Sequence, residues 1–354
     1  IGSKLSNYRH VLLTRLCDKH GYGSNSATKD LIKIIERINP DIIHLHNIHG
    51  YYINITTLFN YLSSKSFPVV WTLHDCWAFT GHCVHFESVG CNKWETLCEN
   101  CPQTKQYPKS YYIDNSKNNY LDKKKLFNSV NNLTIVPVSY WLQNLLTQSF
   151  LKNNPIQTIQ NGIDLSIFIN KNLQSFRENY NIQDKYIFLG VASVWGSGKG
   201  YVDFLKLAQK LEPDEVIVLV GLTKKQMFDL PVGVIGIEKT QNKEQLAEIY
   251  ATSNIFLNLT YADTFPTTNL EALACGTPII TYNTGGSPEA ISEDTGFVVP
   301  PGDIVAVRKC LNKLKKHTKS HYAAVCRERA LKFFDKNVKY ESYYHLYNAQ
   351  LKNL

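Results

Sequence analysis

The chain has no uninterrupted apolar run near the roughly 18 residues that a membrane-spanning helix needs, so we expect no such helix. Its 9 cysteines are too few and too unevenly spaced for a secreted scaffold held together by disulfides. The opening residues lack the basic segment and the apolar stretch of a secretory signal peptide. No internal repeat and no low-complexity tract is visible. Together these absences favour a globular protein of the reducing cytoplasm.

The composition fits a two-domain globular protein. The 354 residues are 44% hydrophobic and 19% charged, enough for two domains that each bury a core. The net charge of +8 is moderate. Such a surface suits anionic substrates or anionic lipid headgroups, and it also fits ordinary solvated helix faces. All three interpretations stay open on charge alone.

Short apolar segments alternate with helical patterns along the chain, which predicts an α/β fold with parallel sheets. The first 38 residues have helical patterns. The predicted strands of the first half are DIIHLHN, PVVWTLHD, LTIVPVS and IQTIQNGID, and those of the second half are YIFLGVAS, EVIVLVG, VGVIGI, IFLNLT and TPIITY. We therefore predict Rossmann-like domains at 1–164 and 185–335, joined by a linker at 165–184. A C-terminal helix within 336–354 is expected to pack back toward the first domain.

The stretch from Asp263 to Ile291 carries the strongest chemical signal. Pro266 opens a predicted helix, and the first N–H groups of a helix lack partners within it, so they form an anion site with the positive end of the helix dipole. Asp263 precedes this helix and Glu271 lies just over one turn inside it, where carboxylates can accept hydrogen bonds from hydroxyl groups. A diphosphate site beside hydroxyl acceptors indicates a nucleotide-sugar ligand.

A long loop at about 75–116 contains four cysteines with the spacing C-x7-C-x6-C-x2-C: Cys83, Cys91, Cys98 and Cys101. Such a set can form a structural zinc-thiolate site, disulfides, or plain thiols, and the sequence leaves these alternatives open. A clamp would reduce the disorder of so long a loop. His82, His85 and Cys76 are spare candidate ligands. Four thiolates leave no open position, so a catalytic zinc is not expected.

Several motifs in a fixed order give the chain a family resemblance. They are PDIIHLHNIHGYY, VVWTLHDCWAFTGHC, VPVSYWLQ, QNGIDLSIF, GVASVWGSGKG and DTFPTTNLEALACGTPIITYNTGGSPE. With these the chain resembles the retaining GT-B glycosyltransferases of family 4, most of all the bacterial exopolysaccharide and colanic-acid branch. The resemblance implies two Rossmann-like domains facing across a cleft. It also implies transfer of a hexosyl-type sugar, with retention, from a nucleotide-sugar to a glycan or polyprenyl-linked acceptor in surface polysaccharide biosynthesis.

The resemblance also assigns roles to residues in the second half. Asp263 stands where the family has the first of two glutamates, which contacts the donor sugar, and Glu271 matches the second, which contacts the ribose. Lys199 matches the lysine that neutralises the donor phosphates. The backbone of Phe265, Pro266 and Thr267 would hold the diphosphate.

Further positions carry weaker assignments. His74 matches a histidine beside the donor sugar, so His74, Asp263 and Lys199 are the candidate catalytic residues. Asn161 and Gly162 match the asparagine-glycine turn that leads into the linker, and Gly162 is a candidate donor-binding residue. Residues 236–245 would contact the base. Glu289 either contacts the donor or merely opens a helix. Val194 replaces a common family arginine, which leaves one phosphate-binding cation where two are usual.

The implied chemistry needs no enzymic nucleophile and no cofactor, because the leaving diphosphate would accept the proton of the acceptor hydroxyl. The expected partners are the nucleotide-sugar, the acceptor and the inner face of the cell membrane, without nucleic acid. The family begins with a strand–helix unit and a glycine-rich loop before the first match here, so the first domain is expected to lack that unit. The alternative function is therefore a GT-B relic or partner subunit that binds donor without turnover.

Overall fold

The computed structural model describes residues 1–170 and 175–352, and these form two compact units. The first unit contains residues 1–159 and the end of the chain from Ser342, and the second runs from Gln160 to Glu341. Each unit has a parallel β-sheet with helices connecting its strands. This confirms the predicted α/β class. Among the described residues, no helix is both long enough and apolar enough to cross a bilayer.

The first unit contains a sheet with the strand order β1-β2-β3. Its strands are β1 (Ile43–Leu45), β2 (Val69–Leu73) and β3 (Leu133–Pro137). The helices before residue 160 are α1 (Lys4–Cys17), α2 (Asn25–Ile38), α3 (Ile55–Ser63), α4 (Ser116–Phe127) and α5 (Tyr140–Leu146). The central strand β2 is buried along its whole length, because its apolar side chains are covered on both faces. Phe59 and Phe127 pack on Trp71 of this strand at ring-centroid distances of 5.5 and 4.8 Å.

The predicted fourth strand, IQTIQNGID, is wrong as a strand. The chain does run beside β3: Ile135 and Gln157 form backbone hydrogen bonds there, and Ile159 N–H donates to Pro137 at 3.2 Å. Only isolated bridges result, one between Ile156 and Ile135 and one between Ile163 and Asp335. Pro137 has no N–H, so it cannot return the hydrogen bond that a continuous parallel ladder requires.

The long loop after β2 is built from short 3₁₀ turns around an aromatic cluster. The turns are Trp77–Phe79, Glu87–Val89 and Lys93–Glu95. Phe86 stacks on Trp94 at a centroid distance of 5.1 Å, and both rings are buried. The loop therefore has an apolar interior of its own.

The second unit contains a sheet with the strand order β6-β5-β4-β7-β8-β9. Its strands are β4 (Tyr186–Val191), β5 (Glu215–Val220), β6 (Val234–Ile237), β7 (Ile255–Asn258), β8 (Ile279–Tyr282) and β9 (Gly296–Val299). In order of appearance this is 3-2-1-4-5-6, the arrangement of a Rossmann domain. The strand order reverses between β4 and β7, and ligands of such sheets bind beyond the carboxyl ends of the strands at that point. The sequence prediction omitted β9.

The helices that follow residue 170 complete the second unit and return to the first. They are α6 (Ser175–Asn179), α7 (Tyr201–Ala208), α8 (Lys224–Phe228), α9 (Lys243–Thr252), α10 (Thr267–Ala274), α11 (Ile304–Leu314), α12 (Lys319–Phe333) and α13 (Lys336–Lys352). The described part of the segment predicted as a linker, 165–184, belongs to the second unit and includes α6. Residues 171–174 of that segment lie outside the described residues. The last part of α13 belongs to the first unit, where Leu346 joins a small core with Val70 and Val136.

Candidate active site

Two loops of the second unit meet where its strand order reverses. One follows β4 and the other follows β7. Tyr261 N–H donates to the carbonyl oxygen of Gly198 at 2.9 Å, which joins the two loops directly. Gly200 has φ +70°, and a Cβ atom there would lie 2.1 Å from the carbonyl oxygen of Leu259. Only glycine permits both this backbone conformation and this approach.

A lysine and a carboxylate form an ion pair at this junction. Lys199, in the 3₁₀ turn Ser197–Lys199, places Nζ 2.7 Å from Oδ2 of Asp263. The Lys199 side chain is 40% exposed and that of Asp263 is 23% exposed, so both remain accessible to a ligand. The structure therefore brings together two of the residues that the sequence predicted as site residues.

The helix predicted to begin at Pro266 is present and starts beside this pair. Pro266 is the N-cap of α10 and has no side chain that can accept a hydrogen bond from the first turn. Thr267 is the first helical residue, and Phe265 is buried just before it. The first turn of α10 consequently presents backbone donors and the positive end of the helix dipole next to Asp263.

Two consecutive glycines, Gly285 and Gly286, contact the backbone of Asp263. Gly286 N–H donates to the carbonyl oxygen of Asp263 at 3.2 Å. Gly285 has φ +53°, and a Cβ atom there would lie 1.8 Å from the same oxygen. The sequence prediction included these glycines in a motif but gave them no role; the structure shows that they contact the backbone of Asp263.

Glu271 lies on α10 in a largely buried setting. Tyr250, a fully buried residue of α9, donates its hydroxyl hydrogen to Oε2 of Glu271 at 3.1 Å. Burial raises the pKa of Glu271 from 4.5 to about 7, and the Tyr250 hydrogen bond only partly offsets it. Near neutral pH this carboxyl is therefore present in both protonation states. The sequence prediction missed Tyr250, which has no recognisable motif of its own.

The turn at residues 160–162 reaches the same region of the second unit. Asn161 Nδ2 donates to the carbonyl oxygen of Phe265 at 3.2 Å, and Gln160 Nε2 donates to Oε2 of Glu289 at 2.8 Å. Gly162 instead faces the start of α13, because a Cβ atom there would lie 2.7 Å from Cα of Lys336. Glycine is therefore needed at position 162 because the backbone of Lys336 lies so close to it.

Two other predicted features of the second unit are a missing cation and a base-binding segment. Val194 lies in the loop after β4 with 74% of its surface exposed. Its aliphatic side chain supplies no charge there. Residues 236–245 begin within β6, where the Ile237 carbonyl oxygen accepts from the N–H of Gly221 at 2.8 Å. Their contact with a nucleotide base stays a prediction.

His74 belongs to the first unit, where it follows β2. Its Nε2 lies 3.0 Å from Nδ1 of His46, which follows the neighbouring strand β1. Burial lowers the pKa of both histidines, and their proximity lowers that of His74 further. Both rings are therefore predominantly neutral at pH 7. The sequence prediction did not single out His46, although it occupies the corresponding position after β1.

The four loop cysteines line a single cavity in the first unit. Cys83 is buried and the other three are half-buried. No disulfide joins any of the cysteines in the part of the chain that the structure describes. The zinc site that the sequence offered as an alternative stays a prediction.

Comparisons with known proteins give two family matches that together cover most of the chain. The model of "Glycosyltransferase Family 4" matches residues 4–167, and that of "Glycosyl transferases group 1" matches residues 172–333. The boundary between them lies close to the division between the two units.

Two curated relatives match shorter stretches. WcaC of Escherichia coli, which carries the name of a colanic acid biosynthesis glycosyl transferase, is 28% identical over 130 residues, 35% of this chain and 31% of WcaC. The N-acetyl-alpha-D-glucosaminyl L-malate synthase of Bacillus anthracis is 28% identical over 200 residues, 53% of this chain and 51% of the relative. The matched part thus spans about a third to a half of the length of these relatives.

Among solved structures, sucrose-phosphate synthase from Thermosynechococcus elongatus resembles the chain with a TM-score of 0.70. The match covers 92% of this chain and 78% of that protein at 17% sequence identity. At that identity the likeness concerns the fold alone.

Proposed function

The chain belongs to glycosyltransferase family 4 and has the GT-B fold, and we propose that it transfers a sugar from a nucleotide-sugar to an acceptor hydroxyl. The proposal rests above all on one arrangement in the second unit. The ion pair of Lys199 and Asp263 lies beside the first turn of α10, and Glu271 lies deeper on the same helix. This combination offers a cation and backbone donors for a diphosphate, and carboxylates for hydroxyl groups.

In this proposal the donor diphosphate competes with Asp263 for the ammonium group of Lys199. The pair is partly exposed, so its net stabilisation in the absence of ligand is small, typically about 0–1 kcal/mol. A diphosphate offers more negative charge than one carboxylate and also receives the backbone donors of Phe265 and Thr267. Its arrival releases the Asp263 carboxylate to accept hydroxyl hydrogen bonds from the donor sugar.

Glu271 is proposed to hold the ribose of the nucleotide. Its position just over one turn inside α10 sets the distance between the ribose and the diphosphate at the helix start. The buried hydroxyl of Tyr250 occupies Oε2 and orients the carboxyl, which leaves the other oxygen for a ribose hydroxyl. Ionised Glu271 is the stronger acceptor, so donor binding should strengthen as the pH rises through about 7, the pKa of Glu271.

We propose that transfer occurs with retention of the anomeric configuration. The bond between the sugar C1 and the diphosphate breaks while a bond from C1 to the acceptor oxygen forms on the same face, and the acceptor proton passes to the departing diphosphate. Catalysis is then positioning plus electrostatic stabilisation of the leaving group. Lys199 and the start of α10 supply that stabilisation.

The acceptor is proposed to be a glycan or a polyprenyl-linked glycan of surface polysaccharide biosynthesis. The name of WcaC, which refers to colanic acid, supports this assignment. The net charge of +8 is compatible with peripheral contact at the anionic inner face of the cell membrane. We assign the donor sugar only as hexosyl-type.

A second candidate function is donor binding without turnover. The exposed Val194 favours it, because this position holds an arginine in the common family pattern and here leaves Lys199 as the one cation assigned to the diphosphate. A catalytically impaired chain would bind nucleotide-sugar through the same residues and release no nucleoside diphosphate in the presence of acceptor.

The proposal is tested by calorimetric titration with a panel of nucleotide-sugars. We expect at least one donor to bind the wild type and to bind Glu271→Ala at least tenfold more weakly, since a charged hydrogen bond contributes roughly 1.5–3 kcal/mol. Glu293→Ala, at an exposed position, is the matched control and should bind as the wild type does. Failure of every donor to bind, or equal affinity in Glu271→Ala, contradicts the proposal. Retention is then tested by the anomeric configuration of the product in NMR spectra.

His74 is tested separately because it lies in the first unit. If it is catalytic, His74→Ala lowers kcat at an unchanged folded fraction, whereas His317→Ala in the second unit leaves kcat unchanged. Equal kcat values for His74→Ala and the wild type would remove His74 from the catalytic residues.

A further inference from the structure

The loop between β2 and α4 gathers four thiols around one cavity, although they are spread over 19 residues of sequence. The thiols of Cys83 and Cys101 lie within hydrogen-bonding contact of each other. Cys91 and Cys98 line the same cavity. The loop thus concentrates four potential thiolate ligands at a place that the proposed glycosyl transfer does not use.

Backbone N–H groups lie near two of these sulfur atoms. That of Gly81 lies near the sulfur of Cys98, and that of Gln103 lies near the sulfur of Cys101. Hydrogen bonds from neutral donors stabilise a thiolate over a thiol, because the negative sulfur is the stronger acceptor. A Cβ atom at Gly81 would lie 2.7 Å from Cβ of Cys98, so glycine permits this close contact.

One basic side chain, that of Lys123, is buried beside the same cavity. Lys123 is 1% exposed, and its ammonium group donates to the carbonyl oxygens of Trp77 and Thr80 at 2.8 and 3.1 Å. Burying an ammonium group is costly even with the carboxylates of Asp18 and Asp75 nearby, so further negative charge beside it is favourable. Four thiolates would supply it.

His82 provides an independent observation. It is 2% exposed and lines the cavity, and its Nδ1 lies 2.5 Å from the carboxylate of buried Asp18. Its second ring nitrogen, Nε2, is buried and has no hydrogen-bond partner. Buried polar atoms of this kind normally have a hydrogen-bond partner. A group bound in the cavity would supply the partner that Nε2 of His82 lacks.

We propose that Cys83, Cys91, Cys98 and Cys101 bind one structural zinc ion as four thiolates. Each thiol gives up its proton when Zn²⁺ binds, so binding releases up to four protons and forms four Zn–S bonds. The resulting charge of −2 is offset by the buried ammonium group of Lys123. Four thiolates complete the coordination sphere of the ion, so His82 is an outer partner of the site and not a ligand.

Zinc binding requires the loop to contract. Sulfur atoms in a tetrahedral site with Zn–S bonds of about 2.3 Å lie about 3.8 Å apart. Among the described residues, the only three metal-ligating atoms within 4.8 Å of one another belong to Glu212, Asp214 and Glu215, and Lys315 pairs with all three. The four thiols are therefore more widely spaced than in a zinc complex. Short 3₁₀ turns, instead of long helices, connect them.

The zinc would act on structure and not on chemistry, because four thiolates fill its coordination sphere. It would close the loop that begins just after His74 and carries Trp77, both at the carboxyl end of β2. Loss of the ion is therefore expected to lower the melting temperature and to leave donor affinity in the second unit unchanged.

The test is elemental analysis of the full chain, produced with zinc in the medium and purified without a metal-affinity step. We expect about one zinc per chain, with X-ray absorption showing sulfur at about 2.3 Å and no nitrogen at about 2.0–2.1 Å. Cys91→Ser and Cys98→Ser should each lose the ion, and Cys310→Ser in the second unit should keep it. His82→Gln should keep it with about 10- to 100-fold lower affinity, as is typical when an outer partner of a metal site is removed.

Several outcomes overturn the proposal. Wild-type protein without zinc and with no affinity for added Zn²⁺ excludes the site. A nitrogen ligand, or zinc retained by Cys91→Ser, excludes the four-thiolate set. Thiol titration that finds the four cysteines oxidised in freshly purified protein assigns them to disulfides. The absorption spectrum and the thiol count use wild-type protein, so they decide the question even if the cysteine variants do not fold.

Discussion

The burial of Glu271 predicts that this residue costs the protein stability at neutral pH. In the folded chain its pKa is about 7, against 4.5 for an exposed glutamate, because burial disfavours the ionised form. The folded protein therefore binds a proton that the unfolded chain has lost. Consequently its free energy of unfolding falls as the pH rises from about 4.5 to about 7.

The size of the effect follows from the shift in pKa. A rise from 4.5 to about 7 corresponds to roughly 3 kcal/mol at about 1.4 kcal/mol per pKa unit. Glu271→Gln removes the titration and keeps an oxygen that accepts from Tyr250 at nearly the same place. We expect the variant to match the wild type near pH 5 to within about 1 kcal/mol and to be more stable by roughly 3 kcal/mol at pH 8.

The assay is urea denaturation of both proteins at pH 5 and pH 8, and the measured quantity is the change with pH in the stability difference between them. Glu293→Gln, at an exposed position of the same unit, is the control. A stability difference for Glu271→Gln that does not change with pH would refute the argument from burial. A variant more stable at pH 5 than at pH 8, relative to the wild type, would show that the carboxylate is stabilised in the folded state.

Three further predictions concern the same unit. Gly285→Ala should lower the melting temperature and weaken donor binding, because its Cβ atom would lie 1.8 Å from the carbonyl oxygen of Asp263. Gly196→Ala is the control and should unfold near the wild-type temperature, because a Cβ atom there has no heavy atom within 4 Å. Equal losses of melting temperature in the two variants would contradict the steric argument. Tyr250→Phe should raise the pKa of Glu271 further, because the hydrogen bond from Tyr250 lowers it. The measurement is carbon NMR of the Glu271 carboxyl, and an unchanged pKa would contradict a role for this hydrogen bond. Lys199→Met should weaken binding of nucleoside diphosphates more than binding of nucleosides, measured by calorimetry, and equal losses for both would place the lysine away from the phosphates.

The parts of the fold and site that depend on local sequence could be predicted. Fully buried parallel strands appear as short apolar runs, so β2 and β4 were recognised within a few residues. The start of α10 was marked by Pro266, and Asp263 and Glu271 follow from their spacing around it. The prediction of a strand at IQTIQNGID was wrong, because Pro137 in the neighbouring strand has no N–H to donate to it. This hydrogen bonding depends on which strands pair, and the local sequence pattern does not show it.

The rest depends on contacts between residues far apart in the chain. Tyr250 and Glu271 are 21 residues apart and meet only when α9 and α10 pack together. His46 and His74, 28 residues apart, meet because parallel strands end at the same edge of a sheet. Neither contact has a sequence motif, so the fold itself was needed to find them.

The proposed function requires the start of α10 and Lys199 to hold the diphosphate of a nucleotide-sugar. The most direct measurement is a crystal structure of the wild-type chain with the donor that calorimetry selects. We predict the diphosphate within hydrogen-bonding distance of Thr267 N–H, with Lys199 Nζ moved from Asp263 to a phosphate oxygen. A bound donor whose phosphates lie elsewhere, with the pair of Lys199 and Asp263 intact, would contradict it.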